Sequence, residues 1–106
     1  PAVGTRKSLL PKNIEVLQMK LVYPCILRDE KVGWSVIFTE DAIGATSGET
    51  LEEAVYMAQD LANFSVQDMI ENNEEIPTPT PPEKVEVPPG AFMTLIRVDT
   101  DAYRKS

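Results

Sequence analysis

Five carboxylates stand in or beside predicted turns of this chain: Asp29, Glu30, Glu40, Asp41 and Glu53. Gathered from adjacent strands, such acids would hold Mg²⁺ or Mn²⁺ and cleave nucleic acid, since hard divalent cations take oxygen ligands and polarise a phosphoryl group. Their placement argues against this. Each lies in a turn or at a helix start, where solubility and capping account for an acid, and none stands in mid-strand facing another. Other chemistries lack their parts. Without histidine there is no Ser-His-Asp or Cys-His nucleophile, and a single cysteine builds no structural zinc site. No Gly-x-Gly-x-x-Gly or Walker loop is present to cradle phosphate. The one thiol, Cys25, sits in the run Tyr-Pro-Cys-Ile-Leu and reads as inert core. No catalytic residue, metal or cofactor is therefore expected, and the chain is expected to act by binding.

What it binds is constrained by charge. The 106 residues allow one domain, and 42% hydrophobic with 25% charged residues permits a modest core without disulfides or metal. Formal net charge is −7 and is unevenly placed: residues 1–18 hold Arg6, Lys7 and Lys12 against Glu15, leaving 7 basic and 16 acidic residues from Met19 onward. Such a body repels phosphate backbones and suits basic partners, which disfavours direct nucleic-acid binding. No stretch approaches the roughly 20 apolar residues of a membrane helix, and residues 1–18 lack the apolar run of a signal peptide. With one unpaired cysteine giving no sign of an oxidising compartment, a cytoplasmic location without membrane contact is expected.

The elements follow from periodicity. Lys20–Leu27 reads as a strand, with Arg28–Lys31 as its turn. Val32–Phe38 alternates, placing Trp34, Val36 and Phe38 on one face and Gly33, Ser35 and Ile37 on the other. The two should pair antiparallel, and Ile43–Ser47 extends the meander as a third, shorter strand. A helix is then announced by Thr50 as N-cap with Glu53 completing a capping box, and it runs to about Asn72. Its buried stripe is predicted at Leu51, Ala54, Val55, Ala58, Leu61, Ala62, Val66, Met69 and Ile70, the alanines allowing close approach to the sheet. Ile76–Pro82 is proline-rich, which forbids a helix and favours an extended crossover. Ala91–Val98 is the fourth strand, and a chain entering the sheet after a helix can lie parallel to one of the first three. The fold class is thus α/β (α+β), ordered β-β-β-α-β, a small mainly antiparallel sheet covered on one face by one long helix.

Three helix residues fall off the buried stripe: Tyr56, Met57 and Phe64. Tyr56 and Phe64, eight apart with Asp60 between them, are the candidate partner-binding residues, an exposed aromatic pair beside an acid. The competing reading packs both rings beneath the proline-rich crossover. Trp34, within an alternating strand, reads as core. Because edge strands of small sheets pair between protomers, a homodimer or higher oligomer is expected.

Several runs resemble, in order and spacing, the HicB antitoxin family. They are Tyr23-Pro24, Trp34–Phe38, Ala45-Thr46-Ser47-Gly48-Glu49-Thr50-Leu51-Glu52-Glu53-Ala54, Ile76-Pro77-Thr78-Pro79, Gly90-Ala91-Phe92 and Val98-Asp99. The likeness spans Met19 to about Arg104. It implies a reduced ribonuclease-H-like fold and a role in a type II toxin-antitoxin system. In that role the chain binds and neutralises HicA, a small RNA-cleaving toxin with a double-stranded-RNA-binding-like fold. The acidic body suits that basic partner. Two departures stand out. Thr39-Glu40-Asp41-Ala42-Ile43-Gly44 replaces the Pro-Asp-Leu-Pro-Gly-Cys-like turn common before the third strand. Many relatives also continue into a DNA-binding domain, whereas this sequence stops at Ser106. The expected organisation is an extension over residues 1–18 and an antitoxin domain over 19–106, without a C-terminal DNA-binding domain. Two other readings stand beside it: an oligomeric scaffold or small-molecule sensor, and a metal-dependent ribonuclease-H-like nuclease built on the five acids.

Overall fold

Alternating side chains need a sheet to sort them, and that sheet forms. The computed structural model describes residues 21–98, so the expectations for residues 1–18 and for the tail Asp99–Ser106 lie outside it. Within these bounds β1 (Leu21–Glu30), β2 (Gly33–Phe38), β3 (Ala45–Gly48), α1 (Leu51–Glu71) and β4 (Ala91–Val98) follow in the predicted order. β1 runs three residues beyond its predicted end. Arg28, Asp29 and Glu30 are exposed strand residues, and the turn shrinks to Lys31-Val32. Charge marked them as loop, but a strand end in solvent carries charge equally well. The third strand is Ala45–Gly48; Ile43 lies in the preceding loop with its side chain buried.

The sheet order is β3-β2-β1-β4, and every neighbouring pair is antiparallel. The parallel placement open to the fourth strand is not the one taken: Leu21 stands opposite Val98, and Arg28 opposite Ala91. The reason is the length of the crossover. α1, at 21 residues, carries the chain about 30 Å back along the sheet. A short connection would start β4 there, parallel to β1. The segment between Asn72 and Gly90 is extended, at about 3 Å per residue, and brings the chain back to the other end first. On its way Ile76 is buried in the core, and Glu86 and Pro88 line a hollow with Ile26 and Ile37 on the sheet face opposite α1. The prolines do admit one turn of 3₁₀ helix at Pro82–Lys84, because the first helical position has no N–H partner to lose.

One face of the sheet forms the core. Leu21, Tyr23, Cys25 and Leu27 of β1, Val36 and Phe38 of β2, and Ile96 and Val98 of β4 meet Ala54, Ala58, Ala62, Val66 and Met69 of α1. Leu61 and Ile70 pack at its margin. Leu51 and Val55, predicted buried, are more than a third exposed. Leu51 opens the helix, and Val55 lies one turn before Gln59, whose amide reaches the Arg97 carbonyl of β4 at 2.7 Å. The alanine stripe sets the helix close to the sheet. At the helix start the approach is closest: a Cβ on Gly48 would meet the Ala54 Cα at 2.7 Å. The Thr50 hydroxyl accepts from the Glu53 N–H at 3.0 Å as predicted, while the Glu53 carboxylate closes on the Glu49 N–H at 2.6 Å.

Pro24 stands in the central strand β1, where a missing N–H ordinarily breaks a ladder. Its carbonyl accepts from the Thr39 N–H at 3.2 Å, so its backbone faces the end of β2. There is consequently no demand from β4 for a proton it lacks.

Cys25 is fully buried, as its context predicts, and burial pushes its thiol from the ordinary 9.0 up to about 11. The folded state therefore resists ionisation that the unfolded chain permits. The corresponding stability is whole below pH 9 and lost as pH rises toward 11. Denaturant titrations across this range should show the wild type losing about 2–3 kcal/mol more than Cys25→Ala. Parallel pH profiles for the two proteins would refute the assignment.

Candidate protein-binding site

The five acids considered for a metal are split between the two ends of the sheet, with Glu30 and Glu53 lining one hollow. Glu30 accepts from the Ser35 hydroxyl at 3.0 Å near one end of β1, and Glu53 caps α1. Glu40 and Asp41 lie in the loop beyond the other end of β2. Among the described residues no three His, Cys, Asp or Glu side chains converge on a point that would hold an ion. Glu40 instead has a structural role, its carboxylate accepting from both the Thr80 N–H at 2.7 Å and the Thr80 hydroxyl at 2.6 Å. Close by, the buried Tyr23 hydroxyl donates to the Pro77 carbonyl at 2.7 Å. Burial, and then the charge of Glu40, raise its pKa well above the usual tyrosine range. The loop that departs from the common family turn is closed by Gly44, at φ +103°, whose carbonyl accepts from the Phe38 N–H at 3.0 Å.

An open groove runs along the flank of α1 that faces β3. Thr46, Met57, Asp60, Leu61, Asn63, Phe64 and Gln67 enclose ≈ 430 Å³. A second hollow of ≈ 130 Å³ continues it past Phe64 to Gln67, Asp68 and Glu71. Helical geometry assembles it: Met57 and Phe64 are two turns apart on one line, with Asp60 beside them. Phe64 is 68% exposed and Tyr56 71%, so the crossover covers neither ring and the packing alternative is overturned. Phe64 and Asp60 share the groove, while Tyr56 stands outside its lining. Thr46, Met57, Asn63 and Gln67 were missed as site residues. Met57 had a signal, since it fell off the buried stripe seven residues before Phe64; the rest depend on β3 lying alongside. Trp34 is half-buried against the core, with the Phe92 ring edge-on at 5.7 Å, in agreement with its predicted core role.

Electrostatics single out the same flank. α1 carries Glu52, Glu53, Asp60, Asp68 and Glu71 and no lysine or arginine. Acids in the first turn complement the positive end of the helix dipole, but Asp68 and Glu71 stand at the negative end, each costing a few tenths of a kcal/mol. Asn72 offsets part of this by donating to the Asp68 carboxylate at 3.1 Å, as Gln67 does to Glu71 at 3.1 Å. These acids lie against the preference of their own helix. A groove with an exposed phenylalanine and an acidic rim can seat an apolar side chain flanked by Lys or Arg.

Comparison with known proteins agrees with this picture. Residues 23–106 match the family model described as HicB-like antitoxin of bacterial toxin-antitoxin system. Antitoxin HicB 2 of Photorhabdus laumondii subsp. laumondii is 34% identical over 80 residues, 74% of this chain and 58% of the relative, so the chain spans little more than half of that protein's length. Among solved structures, a chain of a toxin-antitoxin complex from Streptococcus pneumoniae superposes with a TM-score of 0.68 at 22% identity, over 80% of this chain and 73% of that one, which establishes likeness of fold. By its matched residues and its β-β-β-α-β architecture, the chain belongs to the HicB-like antitoxin family of bacterial toxin-antitoxin systems.

Proposed function

We propose that this domain neutralises a small RNA-cleaving toxin of the HicA type, seating it on the acidic, aromatic flank of α1. One observation carries the reading: Phe64 stands exposed in a groove rimmed by Asp60, Asp68 and Glu71, acids that their helix does not need. A protein that binds RNA presents a basic surface. The flank competes for that surface with the phosphate backbone, and its charge also hastens encounter. Neutralisation in this scheme is stoichiometric and requires no catalysis by the antitoxin. The unpaired, buried Cys25 accords with a cytoplasmic setting, where such a toxin meets its RNA.

The test is co-purification with the product of the small reading frame beside the gene, followed by assay of that product's RNA cleavage with and without this chain. A complex that silences cleavage, and weakens as salt is raised, supports the reading. Unimpeded cleavage at stoichiometric excess of this chain sinks it.

A further inference from the structure

We infer that the groove on α1 receives a basic amphipathic helix of the partner, about four turns long and antiparallel to α1. The inference rests on the toxin-binding reading and says what the toxin presents. Spacing gives the shape of the occupant. Along α1 the lining steps from Met57 to Leu61 and Phe64, then to Gln67, Asp68 and Glu71. Counted from Met57, with Asp60 included, these residues stand at 3, 4, 7, 10, 11 and 14. That is a seven-residue repeat two periods long, the row against which a second helix lies nearly along the first, crossing it at about 20°. At about 1.5 Å per residue the row runs about 21 Å, the length of four turns. An extended segment would need backbone partners, and α1 offers none over this stretch because its N–H and C=O groups bond within the helix. The side-chain amides of the lining are engaged inside α1 as well: Asn63 accepts from Gln59 at 3.2 Å, and Gln67 donates to Glu71 at 3.1 Å. Such a wall suits an occupant whose own backbone is satisfied and which offers side chains alone.

Composition along the row gives the direction. Its first half is apolar, with Met57, Leu61 and Phe64 beside Asp60; its second half is Gln67, Asp68 and Glu71. The acidic half is also the C-terminal end of α1, where the helix dipole is negative and the last turn holds no base. An antiparallel partner helix brings its positive N-terminal end there, with Lys or Arg facing Asp68 and Glu71. Further on it lays apolar side chains, three and four residues apart, over Phe64, Leu61 and Met57. Each helix then carries charges that its own dipole disfavours and its neighbour's favours, which accounts for acids at the wrong end of α1. A parallel helix would set two negative ends together at those acids. Anionic ligands, whether nucleic acid or lipid headgroup, are repelled by the same end.

The test uses the full chain and the purified product of the neighbouring small reading frame. Photoreactive benzoylphenylalanine replaces Met57, Phe64 or Glu71 in turn, and the adducts are mapped by mass spectrometry. They are expected on one segment of the toxin, at helical intervals and in reverse order, with position 71 marking the residue nearest that segment's N-terminus. The Asp68→Lys, Glu71→Lys variant keeps its fold, since bases suit the C-terminal turn. It should bind the toxin about 10-fold more weakly or worse, with a reduced salt dependence. Glu52→Lys, at the other end of α1 and beyond the screening length, controls for net charge and should leave affinity nearly unchanged. A toxin that forms no complex overturns the toxin-binding reading and this inference with it. Where a complex forms, adducts that are absent, alternate every second residue, scatter over separate segments or run in the same order as α1 overturn the helix alone. Full affinity in the double lysine variant does the same.

Discussion

Replacing Tyr23 by alanine is expected to cost about 3–5 kcal/mol of folding stability, the range for removing a large buried aromatic. For a domain of this size that is a large part of the total. Tyr23 is fully buried in the central strand and joins three parts of the molecule. Its ring fills the core under α1, its hydroxyl holds the crossover at Pro77, and the crossover is held again three residues later by Glu40 and Thr80. Tyr23→Phe separates these roles. It keeps the ring and leaves the Pro77 carbonyl without its donor, at about 1–3 kcal/mol. Urea unfolding followed by Trp34 fluorescence measures both. The hydroxyl also carries a pH signature. Because burial and Glu40 raise its pKa, the folded protein is stabilised relative to the ionising unfolded chain below pH 10, and this is lost as pH climbs above it. The phenylalanine variant should keep the decline due to Cys25 and lack the further loss above pH 10 that the tyrosine adds. If it costs nothing and its decline matches that of the wild type throughout, Tyr23 does not anchor the crossover.

The second large effect is expected on toxin binding. Phe64→Ala removes the aromatic centre of the groove and should weaken the complex by about 2 kcal/mol or more, as for a buried interface anchor. Asp60→Lys places a cation where a basic surface docks, and should slow association and flatten the salt dependence. Both side chains are exposed, so melting should move by no more than about 0.5 kcal/mol in equivalent stability. Tyr56→Ala is the internal control. Tyr56 lies off the groove, and the Tyr56→Ala, Phe64→Ala double variant should bind no worse than Phe64→Ala alone. Titration calorimetry against the purified toxin decides. Full affinity in a folded Phe64→Ala, Asp60→Lys variant would remove the α1 flank from consideration.

Much of this was legible in the order of residues. Alternation in Trp34–Phe38 and Ala91–Val98 named the strand faces correctly because a strand's period of two depends on the backbone alone. The start of α1 was equally plain, since Thr50 and Glu53 cap it through bonds that close within a few residues. The off-stripe positions of Met57 and Phe64 marked the flank on which the groove formed, for the same local reason.

Tertiary structure decided whatever depends on where a segment lands. The charged end of β1 became strand because β2 and β4 offered partners to Arg28, which no local preference reveals. β4 turned antiparallel because the crossover is long enough to retrace the helix, a matter of path length rather than propensity. The five acids proved split between the two ends of the sheet, and the groove acquired Thr46 only once β3 had settled beside α1. Local pattern thus determined the elements and their apolar faces, where the relevant forces act over one turn or one pair of residues. Placement of the site required contacts between residues far apart in the chain, whose geometry is set by packing.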